Sequence, residues 1–257
     1  MIFRLGGFAR RLLQRSETGV AAVEFALLVP FMTGLFLTAT DVLIGLTVAR
    51  RTTFAVNTIA EMISQSPGTV INSVTTNAVN QDQITLAMNS VITTMPNVLG
   101  DAASQKTITN WSDDITIIVS EADFTIGATP GVANVAALAW SVGNKVGGSS
   151  NHTRPCGTPT EAASDSFALM NGTTPVLTTL PNSLYLNPVA NSVIVVDLVY
   201  TFNPACLNIS GYSWLQAALT FHRVAYLPAR LFYKLTFSAT SPSGNTPSPP
   251  LTYCGNT

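Results

Sequence analysis

The chain has 257 residues, with twelve basic and thirteen acidic side chains, a formal charge of −1, 10% charged residues and 47% hydrophobic ones. A mean hydropathy of +0.34 supplies enough apolar surface to bury, which excludes a disordered chain. Twelve scattered basic residues do not build the basic face that releases phosphate counterions, which excludes nucleic acid as a partner. At roughly 150 residues per domain the length allows one or two domains.

The first segment, 1–19, carries Arg4, Arg10, Arg11 and Arg15 against Glu17. An apolar stretch follows, then a polar Ser/Thr/Asn-rich body, which is the order of an exported chain. Residues 25–40 hold no charge, and beyond Asp41 the apolar run resumes over 42–49 before Arg50 and Arg51. At ~1.5 Å per helical residue Glu24 and Asp41 stand about 25 Å apart, near the two boundaries of a bilayer core. This predicts one transmembrane helix carrying Phe25, Pro30, Gly34 and Asp41. Four arginines before it and two after it favour a cytoplasmic N-terminus and an extracytoplasmic body.

Phe54, Ala55, Ile59, Ala60, Met62 and Ile63 continue the helical spacing until Pro67 and Gly68 end it. The expected segment is therefore 20–66, a transmembrane helix that runs on outside the membrane, with Pro30 a candidate kink. A cleaved secretory signal would have a shorter apolar core and a small-x-small site. A plain signal anchor fits the hydropathy but leaves Glu24 unexplained. A carboxylate inside a span costs ~2.5–3.5 kcal/mol on insertion scales and marks function unless it snorkels to the interface.

Residues 67–237 read as an extracytoplasmic α+β domain. Ile84, Ala87, Met88, Val91, Ile92 and Met95 form one face of a second helix, expected to pack on the sheet that follows. Strands are expected over 115–119, 136–142 and 192–202, with a pair at 221–227 and 231–237 and a short helix over 214–219. Ile194, Val196, Leu198, Tyr200 and Phe202 share one strand face that must be covered, while Asp197 faces the other way among valines. A hydrogen-bonded structural role is the expectation for that aspartate. Residues 143–180 are Gly/Ser/Thr-rich and read as a variable loop, and 238–257 as a Pro/Ser-rich tail.

The two histidines, His152 and His222, have no second ligand at metal spacing, and no nucleophile elbow, Walker loop or Gly-x-Gly-x-x-Gly follows a strand. The expectation is no enzyme, with no catalytic residue, metal or cofactor. Three cysteines, Cys156, Cys206 and Cys254, allow one bridge and one free thiol in an oxidising compartment. Pinning the tail through Cys254 would remove entropy from the unfolded chain. Its partner by this reading is either Cys156 or Cys206.

The string from Arg15 to Phe25, Arg-Ser-Glu-Thr-Gly-Val-Ala-Ala-Val-Glu-Phe, resembles a prepilin processing site. In that family a basic leader ends in Gly, a peptidase cuts after it, and Glu stands fifth in the mature chain. Cutting between Gly19 and Val20 puts Glu24 fifth and Phe25 sixth. A new α-ammonium at Val20 needs an anion in a low-dielectric setting, and Glu24 of a neighbouring subunit can supply it.

The longer run from Gly19 to Pro30, with Gly34, Asp41 and Arg50, is similar to the opening of TadE-like pseudopilins of the tight-adherence (Flp) pilus machinery. Phe25 stands where that processing motif usually carries Tyr. Trp140-Ser141, Leu180-Pro181, the strand ending Asn203-Pro204 and Pro228-Ala229-Arg230 also resemble this family. The resemblance implies a minor structural or assembly component of the pilus, anchored once in the bacterial inner membrane. Its N-terminus would be cytoplasmic and its domain periplasmic or extracellular. The partners implied are other pilin or pseudopilin subunits, the prepilin peptidase, the inner-membrane assembly platform and membrane lipid. The family's habit of one mid-chain and one C-terminal cysteine favours a Cys156–Cys254 bridge. The competing reading is a signal-anchored extracytoplasmic binding domain with no role in a pilus.

Overall fold

The computed structural model describes residues 6–67, 69–71, 74–76, 78–99, 115–125, 134–143, 153–161, 179–186, 192–202, 219–230, 234–238 and 251–253. Helix α1 (Gly6–Ser64) leads into a small antiparallel pair, β1 (Thr69–Ile71) and β2 (Val74–Thr76). Strand β3 (Ala78–Asn80), helix α2 (Gln81–Thr94) and a 3-10 turn (Pro96–Leu99) follow. Then come β4 (Ile115–Thr125), β5 (Val135–Gly143), β6 (Thr160–Glu161), β7 (Thr179–Leu180) and α3 (Asn182–Leu186). The chain continues with β8 (Ser192–Phe202), β9 (Leu219–Pro228), β10 (Thr236–Ser238) and β11 (Leu251–Tyr253). Five strands make one antiparallel sheet in the order β11-β5-β4-β8-β9. The architecture is α+β, a long N-terminal helix laid on an antiparallel sheet with a second helix beside it.

Helix α1 runs 59 residues with Pro30 inside it, about 88 Å at the standard rise. It begins earlier than the hydropathy suggested, since residues 6–19 are already helical. Along the apolar stretch threonines return their hydroxyls to the preceding turn: Thr33 to the Val29 carbonyl, Thr38 to Gly34 and Thr40 to Phe36, at 2.8–2.9 Å. Each such bond hides a polar group that an apolar environment could not satisfy.

The contacts of α1 change abruptly along its length. Residues 20–39 are exposed on every side, whereas Asp41, Gly45, Val48, Thr52, Ala55, Val56, Ile59, Ala60 and Ile63 are buried. Those positions recur every three or four residues and form a seam along which the body docks. The seam packs over β8 and β9 and beside α2. Ile194, Val196, Leu198, Tyr200 and Phe202 of β8 all enter this core, together with Ile115, Ile117 and Val119 of β4. Burying so many branched side chains at ~25 cal/mol per Å² is what fixes the domain to its helix.

Helix α2 starts at a capping box: the Gln83 amide donates to Asn80 Oδ1 (2.8 Å) and the Asn80 amide to Gln83 Oε1 (3.0 Å). Ile84, Ala87, Met88, Val91 and Met95 are buried as the spacing predicts, and Ile92 is half-buried. The main neighbour of α2 is α1 rather than the sheet, because α1 already occupies the groove over β8 and β9.

Two C-terminal segments depart from the sequence reading. Of the pair expected at 221–227 and 231–237, residues 231–233 lie outside the described ones; among the described residues β9 pairs with β8, and β10 runs parallel to β3. On either side of these residues the Arg230 amide donates to the Ser64 carbonyl (3.0 Å), and the Leu235 carbonyl accepts from Trp140 Nε1 (2.9 Å). Within the tail, β11 adds to the edge of β5. Of the short helix expected over 214–219, only Leu219 is described, and it opens β9.

Candidate functional site

The residues expected for processing and assembly lie in the N-terminal part of α1. Gly19 and Val20 sit within the continuous helix, and Glu24, Phe25, Pro30 and Gly34 are exposed. A side chain at Gly34 would meet no atom within 4 Å. Val20–Ser64 is long and apolar enough to cross a membrane, and none of its most apolar stretch is buried. Val20, Glu24 and Phe25 thus lie on an exposed stretch of the helix, ahead of the seam that carries the domain. Asp41 is different. It is turned into the docking seam at 3% exposure.

On the sheet face away from α1, Asp197 of β8 meets Arg154. The guanidinium donates from Nε (3.0 Å) and Nη2 (2.7 Å) to Asp197 Oδ2, with both side chains 2% exposed. The Arg154 amide donates to Ser141 Oγ (2.9 Å), which also bonds Ser120 Oγ (2.8 Å). His222 Nε2 stands 3.8 Å from Asp197 Oδ1 and makes no hydrogen bond. Burial, and then the Asp197 carboxylate, pushes the Tyr226 phenol well up. Asp197 thus has the structural, paired role expected of it. Its partner comes from the Gly/Ser/Thr-rich region read as a variable loop, part of which lies against the sheet. There Phe124 and Tyr185 meet edge-on at 5.5 Å, and the Tyr185 hydroxyl donates to the Pro159 carbonyl (2.7 Å).

A second buried acid, Glu121 of β4, was not singled out from sequence. Its Oε1 accepts from Ser192 Oγ (2.5 Å) and from the Leu235 amide (2.8 Å), while Oε2 is buried without a hydrogen bond. Burial, reinforced by the Asp123 carboxylate, pushes this carboxyl up to about 7 against the hydrogen bonds it accepts. Asp123 is itself paired with Lys234. An alternating strand marks which face a Glu lies on but not whether a later segment will seal that face, so no local signal pointed to it.

Cys156 is disulfide-bonded. Cys206 and Cys254, the two possible partners, lie outside the described residues. Among the described residues no group of three His, Cys, Asp or Glu side chains is placed to hold a metal ion. No protein-family model, curated protein or solved structure matches the chain.

Proposed function

We propose that the protein is a pilin-like structural subunit, similar to the TadE-like pseudopilins, held in the bacterial inner membrane by α1 and matured by cleavage between Gly19 and Val20. The observation that carries this reading is the division of α1: residues 20–39 stand free while the domain clamps the same helix from Asp41 onward. Twenty free residues span about 30 Å, the thickness of a hydrocarbon core. A helix built only as an anchor has no use for a carboxylate at position 24. A subunit that leaves the bilayer to pack against its neighbours does, because Glu24 there meets the α-ammonium created at Val20 of the next subunit. Gly19 suits the cut as well, since glycine lowers the helix's resistance to local unwinding by roughly 1 kcal/mol relative to Ala.

In this reading the partners are other pilin subunits, the prepilin peptidase and the assembly platform, and the domain lies outside the cytoplasm. The test is Glu24→Gln in the producing cell. The account expects normal membrane insertion and cleavage with pilus output lost. Normal piliation in that variant contradicts it and leaves a signal-anchored binding domain as the better description.

A further inference from the structure

The segment 234–238 ties three parts of the domain together. Its strand β10 runs parallel to β3, with Thr236 beside Ala78, Phe237 beside Val79 and Ser238 beside Asn80, the N-cap of α2. Phe237 meets Trp140 of β5 with ring centroids 5.7 Å apart, and Leu235 is buried in the main core. Towards β4 the segment makes polar contacts instead: Lys234 pairs with Asp123, and the Leu235 amide donates to Glu121 Oε1 (2.8 Å).

Glu121 and Asp123 stand two apart in a strand whose register with β8 is unbroken, so both face the side that carries this segment. Their oxygens are unequally satisfied. Glu121 Oε1 accepts from Ser192 and Leu235, and Asp123 Oδ2 accepts from Lys234, whereas Glu121 Oε2 and Asp123 Oδ1 are buried without a hydrogen bond. Among the described residues the other groups facing Glu121, Ser192 of β8 and the Trp140 indole of β5, carry no charge. Arg230, ahead of the segment, is engaged with Glu61 of α1 (3.4 Å). Two neighbouring buried acceptors without a donor lack one proton.

We propose that Glu121 and Asp123 share one proton between Oε2 and Oδ1, and that this proton latches segment 234–238 onto the sheet. The proton gives each orphaned oxygen a partner and removes a charge that has no exposed surface. Once it leaves, a buried anion stands beside a second anion, and hydrating it requires the covering segment to lift. Burial and Asp123 raise the Glu121 carboxyl to about 7, so the closed form binds the proton more tightly than the open one. The latch therefore holds below that value and loosens as pH rises towards it. Loosening parts β10 from β3 and frees the start of α2 from the sheet. The device works within the domain and needs nothing from the use made of α1.

The test is hydrogen exchange of the full chain in detergent micelles between pH 5 and pH 8, corrected for the intrinsic effect of pH. It is read by mass on peptides covering 234–238 and 192–202. A carboxyl at about 7 when closed and 4.5 when open loses about tenfold in protection at 234–238 between pH 6 and pH 8. The proposal expects that loss with 192–202 unchanged. Glu121→Gln, whose amide nitrogen donates where the proton sat, keeps its protection at both pH values. Asp123→Asn removes the like charge, so the loss is smaller and is complete at lower pH. Unchanged protection in wild type, or an undiminished loss in Glu121→Gln, overturns the latch. An equal loss at 192–202 also overturns it, because the whole sheet then opens rather than one segment. A wild-type pH profile in Asp123→Asn overturns the shared proton.

Discussion

At position 121 a carboxyl group with no exposed surface joins three pieces of chain: its own strand, Ser192 of β8 and the Leu235 amide. The charges facing it are the like charge of Asp123 and the ammonium of Lys234, which Asp123 holds. A carboxyl raised to about 7 binds its proton more tightly folded than unfolded. It therefore stabilises the fold fully below its ordinary value of 4.5 and loses that contribution as pH rises through 7. The effect is on the order of 3 kcal/mol. Glu121→Gln keeps an acceptor for Ser192 and Leu235 without the charge, so the variant unfolds at higher temperature than wild type at pH 8. Its stability also changes less between pH 5 and pH 8. Thermal unfolding at both pH values checks this, and parallel pH dependence in the two proteins contradicts it. The Arg154–Asp197 pair behaves differently, because removing one partner leaves a buried charge. Arg154→Met is expected to cost about 3–5 kcal/mol, whereas the double change Arg154→Met with Asp197→Leu recovers most of it. A double variant as unstable as the single one contradicts the assignment.

Among the elements, the ones written in long side-chain patterns were legible. Residues 192–202 form β8 with the boundaries expected, because a β-branched run buried on both faces leaves the backbone few alternatives. The buried face of α2 followed from its 3.6-residue spacing in the same way. Strands β10 and β11, three residues each, are too short to carry a period and are placed by what they dock against. Nothing near Arg154 marks it as the partner of Asp197, 43 residues away. The direction of Asp41 was likewise illegible, since a helix shows which residues share a face but not which face the domain will choose. The cysteine bridge lies between these cases. Gly157, next to Cys156, accepts from the Leu138 amide of β5 (3.0 Å), and Tyr253 pairs with Trp140 of the same strand. Two chain neighbours of cysteines thus meet β5 two residues apart, so the expected bridge is Cys156–Cys254, leaving Cys206 as the free thiol. Non-reducing peptide mapping checks it, and a Cys156–Cys206 peptide contradicts it.

At the scale of the whole molecule, one helix serves two surroundings. Residues 25–39 carry no charge and are exposed on every side, with threonine hydroxyls folded back on the backbone; beyond them the helix is apolar along a single seam that carries the domain. Such a rod suits a subunit stored in a bilayer and later packed against copies or relatives of itself. The candidate site, Gly19, Val20, Glu24 and Phe25, is proposed from the sequence, where leader charge, glycine, carboxylate and apolar run follow one another. How far the domain stands from them was not legible, since it depends on tertiary docking. The most direct measurement is N-terminal sequencing of the protein recovered from the membranes of its own cells. The account predicts a chain beginning at Val20, with the precursor accumulating when Gly19 is replaced by Asp. A chain that retains residues 1–19, or that begins near Thr40, contradicts it.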